Sequence, residues 1–428
     1  MMNKIVLLLL LVCNTIFVKA QIKFSDYFED KTLRIDYTHA GNQADEDFFL
    51  LTMKEEPFWG GSLINLVDTF NWGNNFVQVY DSATNQLIYS RGFSNLFCEW
   101  RLLPEAQKYS KGFYETLEIP YPKKTIRIDI LSRNKSLEFK KVTSWTVSPN
   151  DYRIAHDKPV YDFRVDTLLF SGHSHRKIDL VFLAEGYTQS ETGKFINDAR
   201  RMMNKLFNFE PFMSHKSDFN VWLVESVSKE SGTDDPRKHI WKSTLFNSHF
   251  NTFNSDRYLT STDLRVIHDV AALAPHDQIY VLVNTDKYGG GGIYNYFSLT
   301  SVDNTLSELV FVHEFGHAFA GLADEYFYDE EEYSNYYPKN TEPWEPNITS
   351  LTNFDTKWKS MVADSVPIPT PDTKKYRHTV GVFEGGGYVS KGIYRPVHSC
   401  IMKALQGNDG FCPVCQRAIS QRILFYTK

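Results

Sequence analysis

Cysteine is scarce in this chain, with five among 428 residues, and three of those crowd into the last thirty positions at Cys400, Cys412 and Cys415. So few thiols exclude the disulfide-dense scaffold that small exported domains use in place of a core. Basic charge is not in surplus either: Lys and Arg total 46 against 52 Asp and Glu, a formal net charge of −6. That balance excludes the concentrated basic face needed to hold nucleic acid. Past the first twenty residues no apolar run is long enough to span a bilayer, so the mature chain is expected to carry no integral membrane segment. The glycine cluster YGGGGIYNYF, Tyr288 to Phe297, has no Lys-Ser or Lys-Thr after it, which removes the phosphate-cradling reading of a glycine-rich loop.

What is present divides the chain. Residues 1–20, MMNKIVLLLLLVCNTIFVKA, combine a lysine, a short apolar run and a small-residue end before Gln21, the pattern of a signal peptide for export. Lipid anchoring would use Cys13, but Val12 suits that processing poorly, so a secreted or cell-envelope location is expected without it. The remainder is 42% hydrophobic and 15% aromatic over the whole sequence, enough to bury two cores. Residues 21–150 read as an all-β sandwich: TLRIDYTHAG, NFVQVYDS, NQLIYSRG, KTIRIDILS and SLEFKKVTSWTV alternate apolar with polar positions between turn residues. Its aromatic residues are either sandwich core or, on the sharper reading, a sugar-stacking surface. Residues 151–176 are a connector. His173 and His175 within it would share one side of an extended strand and could there capture a metal, but no acidic or thiol residue accompanies them, so a solvated turn is expected.

Residues 177–428 change pattern. KIDLVFLAEGYT is a buried strand, Thr188 to Phe209 a helix burying Phe195, Ala199, Met202, Met203 and Leu206, FNVWLVES a strand, STDLRVIHDVAALA a helix, and QIYVLVN a strand. That alternation predicts an α/β open sheet. Next comes LVFVHEFGHAFAGLADEY, Leu309 to Tyr326. His313 and His317 stand four apart, hence on one face of a helix, with Glu314 beside the first. Two imidazoles and one further donor hold a zinc ion with a position left for water, and the adjacent carboxylate takes that water's proton. Gly321 ends the helix and Asp324 follows as the expected third metal ligand, with Glu325 as its rival. Two helix histidines, a glycine stop, a later ligand and a downstream methionine are the order of metzincin peptidases. Here the glycine and the acid each come one position later than in that pattern, where Ala320 and Ala323 would fall. Met402 in HSCIMKAL is the expected methionine beneath the metal.

HEFGHAFAGLADEY, DLVFLAEGYT, YGGGGIYNYF, FEGGGYVSKGIYRP and SCIMKAL followed by FCPVC resemble the bacterial zinc metallopeptidases named after an immunoglobulin A peptidase, from about Lys177 to the C-terminus. The N-terminal half resembles the accessory β-domain of gut-bacterial members. The resemblance implies a metzincin-like fold and a secreted endopeptidase using one catalytic Zn2+, with metal roles on His313, His317 and Asp324 and the base role on Glu314. It does not carry immunoglobulin A over as the substrate, because folds host many specificities.

Other residues leave alternatives open. The glycine cluster is either a turn or an edge strand over the cleft that pairs with an extended substrate. DEEEYSNYYPKNTEPWEPN is a solvated loop, a cleft wall or a calcium site. Tyr388, Tyr394 and His398 are each able to stabilise an oxyanion. Cys400 is expected to bridge to Cys412 or Cys415 in an exported protein, the sharper reading being a second zinc held by His398 and these three thiols. The partner is expected to be a protein or glycoprotein substrate. The competing classes are a glycan- or mucin-binding surface protein with an inactive peptidase-like domain, and a metal-dependent hydrolase of small amides.

Overall fold

The computed structural model of the protein describes residues 22–328, 337–338, 340–407 and 410–428. The signal-peptide reading therefore falls outside the described residues, as do the acidic positions 329–336 of the loop read as a possible calcium site.

After a single helical turn α1 (Phe24–Tyr27), the first half builds two four-stranded sheets. The strands are β1 (Phe28–Gly41), β2 (Glu46–Glu56), β3 (Asn75–Asp81), β4 (Leu87–Phe93), β5 (Lys111–Pro122), β6 (Ile126–Arg133), β7 (Phe139–Val147) and the short β8 (Ile154–Ala155). One sheet runs β5-β1-β2-β8 and the other β4-β3-β6-β7, antiparallel except where β8 runs parallel to β2. Alternate positions from both face inward: Leu33, Ile35, Tyr37, Val77, Val79, Ile119, Ile128 and Ile130 form one core. The period-two pattern thus produces a sandwich, and aromatic residues including Phe28, Tyr37, Phe48, Trp59 and Tyr89 are spent in that core. Strands β2 and β5 were not among the stretches singled out from the sequence. A five-residue helix, α2 (Leu96–Trp100), leaves the sandwich capped by Asn95, whose side chain accepts from the Cys98 amide.

The second half centres on a six-stranded sheet made by β9 (Val165–Leu169), β10 (Ile178–Glu185), β11 (Phe219–Val224), β12 (Gln278–Val283), β13 (Gly290–Gly292) and β14 (Ser298–Ser301), in the order β13-β14-β12-β10-β11-β9. The four inner strands are parallel and both edges antiparallel. β10 is buried at every position, as an inner parallel strand covered on both faces must be. The stretch read as a connector carries strand at both ends, β8 joining the sandwich and β9 the second sheet. His175 lies on a 3-10 turn with His173 at its N-cap, as the turn reading expects, and His175 bonds Asp30 at 2.8 Å.

Helices α3 (Thr192–Leu206), α5 (Ser307–Ala320) and α6 (Pro413–Thr427) pack on one face of this sheet around Phe182, Tyr280, Phe311, Phe315 and Ile419. α4 (Leu264–Ala271) covers the other with Ile267 and Val270 against Val181 and Val281. A small sheet of β15 (Phe327–Tyr328), β16 (Phe383–Gly386) and β17 (Tyr388–Arg395) follows the site helix. The two halves meet over buried charge: Arg34 of β1 bonds Asp269 of α4 at 2.9 Å, and Glu118 of β5 bonds His268 at 2.6 Å.

Candidate metal centre

The site begins with α5, whose residues are buried on nearly all sides, as suits a helix in the middle of a large core. His313, Glu314 and His317 are the partly exposed residues of its second half. Gly321 ends it in the left-handed conformation, φ 58°, and turns the chain back. Gly316 leaves room for what lies beneath: a Cβ there would sit 3.0 Å from the sulfur of Met402, which is fully buried. The methionine read from the sequence therefore supports the helix at the level of both histidines.

The imidazoles are held by their outer nitrogens. Nδ1 of His313 bonds the carbonyl of Ile401 at 3.1 Å, and Nδ1 of His317 that of Leu322 at 2.5 Å. A carbonyl accepts only, so both Nδ1 atoms carry a proton, and Nε2 is the atom each ring has to offer an ion. The two Nε2 atoms are 3.0 Å apart, and Oδ1 of Asp324 lies 3.1 Å from that of His313 and 3.4 Å from that of His317. Two donors about 2.0–2.1 Å from a zinc ion at a tetrahedral angle stand about 3.3 Å apart. Oδ1 of Asp324 is buried without a hydrogen-bond donor, while its Oδ2 accepts from the hydroxyl of Tyr388. Burial opposes charge on Asp324, but His317 and His313 hold its carboxyl well below the usual range. The donor set and its spacing fit a divalent cation.

Asp324 and Glu325 separate here. Glu325, fully buried, turns away from the histidines: its amide bonds the Met402 carbonyl at 2.8 Å and its Oε1 accepts from Asn347 and Cys415. Glu314 stands at the cleft floor, its carboxyl raised by burial against the pull of His313 and His317. Of the three residues read as oxyanion stabilisers, Tyr388 borders the cleft. Tyr394 does not border it, and His398 pairs with Asp372 at 2.9 Å. His398 is therefore no ligand beside the three cysteines; Glu325 occupies that place. The expected bridge is likewise corrected: Cys98, Cys400, Cys412 and Cys415 are free thiols.

The cleft has a volume of about 1270 Å³. Gly290, Gly291 and Gly292 form one bank. A Cβ on Gly290 would stand 2.7 Å from Val310 Cγ1, and one on Gly292 would stand 2.2 Å from the Glu314 carbonyl, so the edge strand lies directly on α5 because it has no side chains. Its outer side is met at Gly290 by a parallel bridge to Tyr258, which limits the edge left for pairing with a substrate. The sandwich half also lines the cleft, through Glu99, Leu102, Leu103 and Pro104. Sequence reading missed Glu99, whose carboxyl is raised to about 7 by burial against the hydrogen bond from Tyr258, and Arg257, which reaches Tyr326 and Tyr328. Neither carries a local signal; both arrive from stretches distant in sequence.

An α/β sheet with a histidine-bearing helix, a carboxylate delivered after a glycine turn, and a methionine beneath them defines a metal-dependent peptidase. The chain belongs to the IgA Peptidase M64 family, whose model matches residues 167–379 and 372–423, and the Peptidase M64 N-terminus model matches residues 23–144. Among curated proteins none matches the chain. The chain is accordingly a metallopeptidase, and no helix among the described residues is long and apolar enough to cross a membrane.

Proposed function

We propose that the protein is an exported zinc endopeptidase whose ion is held by Nε2 of His313, Nε2 of His317 and Oδ1 of Asp324, with Glu314 as general base. The observation carrying this reading is the convergence of these three atoms within 3.4 Å of one another, the carboxylate oxygen among them having no hydrogen donor. Bound there, the ion supplies Lewis-acid polarisation of the scissile carbonyl and a water acidic enough to deprotonate near neutral pH.

The chain's own groups do the rest. Ile401 and Leu322 hold both imidazoles in the tautomer that points Nε2 inward, so no reorganisation is needed on binding. Tyr388 fixes the Asp324 carboxylate from the opposite oxygen. Glu314, raised by its burial, accepts a proton from water and returns it to the leaving amine nitrogen. Arg257, Tyr288, Tyr326 and Tyr328 line the same cleft as Glu314 and both histidines. A cleft larger than the ~300–1,000 Å³ of ordinary small-molecule pockets favours a peptide segment of several residues over a small amide. Export rests on the N-terminal pattern ending at Ala20.

Glu314→Gln separates metal binding from chemistry. We expect the variant to keep its histidine-held zinc and to lose roughly 10²–10⁴-fold in kcat/KM on a casein-derived peptide. Wild-type turnover in it would remove Glu314 from the base role. Mass-spectrometric reading of a peptide library should show internal cuts that a chelator abolishes; cuts confined to chain ends would make the enzyme an exopeptidase.

A further inference from the structure

The three C-terminal cysteines and Glu325 take no part in the chemistry above, yet they are assembled with care. Sγ of Cys400, Cys412 and Cys415 and a carboxylate oxygen of Glu325 all lie within 4.8 Å of one another. All four residues are at most 5% exposed. They come from three places: Glu325 follows Asp324, Cys400 opens the turn that carries Ile401 and Met402, and Cys412 and Cys415 sit at the N-cap and in the first turn of α6.

Distances discriminate between a bridge and a metal. Sγ of Cys400 is 3.9 Å from Sγ of Cys415, and Sγ of Cys415 is 3.3 Å from Oε1 of Glu325. Around tetrahedral zinc, with Zn–S about 2.3 Å and Zn–O about 2.0 Å, the corresponding separations are about 3.8 and about 3.5 Å. A disulfide would consume two sulfurs and leave the third thiol beside the buried Glu325 carboxylate, whose hydrogen-bonding capacity is only partly filled. That carboxylate already shows the deficit: its Oε2 is buried without any hydrogen donor. The surroundings suit thiolate sulfur, since the Cys412 amide points at Cys400 Sγ from 3.4 Å and the N-terminal end of α6 faces the cluster.

We propose that Cys400, Cys412, Cys415 and Glu325 bind a second zinc ion. Four protein donors complete a tetrahedral shell and leave no position for water, so the ion is structural. It ties the start of α6 to the turn that supports His313 through Ile401 and to the residue next to Asp324. Thiolate-rich donor sets select zinc over the hard cations calcium and magnesium.

The test is independent of the catalytic reading. The full chain is purified with zinc under reducing, chelator-free conditions, and metal is counted in the wild type and in a His313→Ala, His317→Ala double variant. We expect about two zinc ions per chain in the first and about one in the second. Cobalt replaces zinc in a parallel sample. The histidine-held site offers no thiolate, so a strong near-ultraviolet sulfur-to-cobalt absorption reports the second site even in wild-type protein. It should vanish in Cys412→Ser, Cys415→Ser. Absence of that absorption in the wild type overturns the proposal, and so does a folded double-histidine variant without metal. A bridge between two of the three cysteines in the zinc-loaded protein also overturns it.

Discussion

Asp324 faces two ways at once: Oδ2 is satisfied by Tyr388, and Oδ1 faces the Nε2 atoms of His313 and His317. Tyr388 reaches that position from a left-handed backbone, φ 67°, held by its amide bond to the Tyr326 carbonyl. Tyr388→Phe should weaken zinc at the histidines by about 10–100-fold, read by competition with a chromogenic chelator. Unchanged affinity would mean that the hydroxyl does not orient the carboxylate. Asp324→Ala should abolish both activity and histidine-held zinc. The histidines and Glu314 were legible because a helix converts a spacing of four into a shared face, and Asp324 because the glycine turn limits how far the chain travels. Glu325 stayed a rival on the sequence, since adjacent carboxylates differ only in the direction the backbone gives them.

Elements with a dominant apolar period were readable: β10, β11, β12, α3 and α4 each keep a run or stripe of apolar residues although each also buries a polar or charged side chain. Others hide theirs behind buried charge. α6 places Arg422 inward, 1% exposed, where it bonds the Phe319 carbonyl and Tyr426. β5 buries Glu115, while its Glu118 meets His268 and His276 of the other half. The glycine strand β13 has no side-chain period at all, and only its packing on α5 identifies it. Gly292→Ala should lower stability by about 1–3 kcal/mol, because its methyl meets the backbone of Glu314. Gly193→Ala is the control: nothing lies within 4 Å of a Cβ there and the site is in α3, so its melting temperature should rise or hold. Equal destabilisation by both would show that crowding against α5 is not the cause.

Across the whole molecule, the join between halves is sensitive to pH. His276 is raised to about 9, burial opposing its charge but Glu118 outweighing that cost. Its contribution is complete below its ordinary value of 6.5 and is lost as pH rises through about 9. Glu56, raised by burial and by Glu118, acts in the same direction. Glu118 is held well below 4.5 by His276 and His268 against burial, so its contribution stands above that value and fails as pH drops through the lower folded one. The melting temperature should therefore fall from pH 6.5 toward 9, and His276→Gln should flatten that limb. A wild-type profile no steeper than that of the variant would count against the pairing.

The stretch from Leu96 to Gln107 leaves the sandwich to line part of the cleft that holds the histidines. The half without the histidines thereby contributes to the surface a substrate would meet. Exchanging that dozen residues between relatives should redirect what is cut while leaving the cutting apparatus intact, and a diverging lineage would acquire new diets through this short segment first.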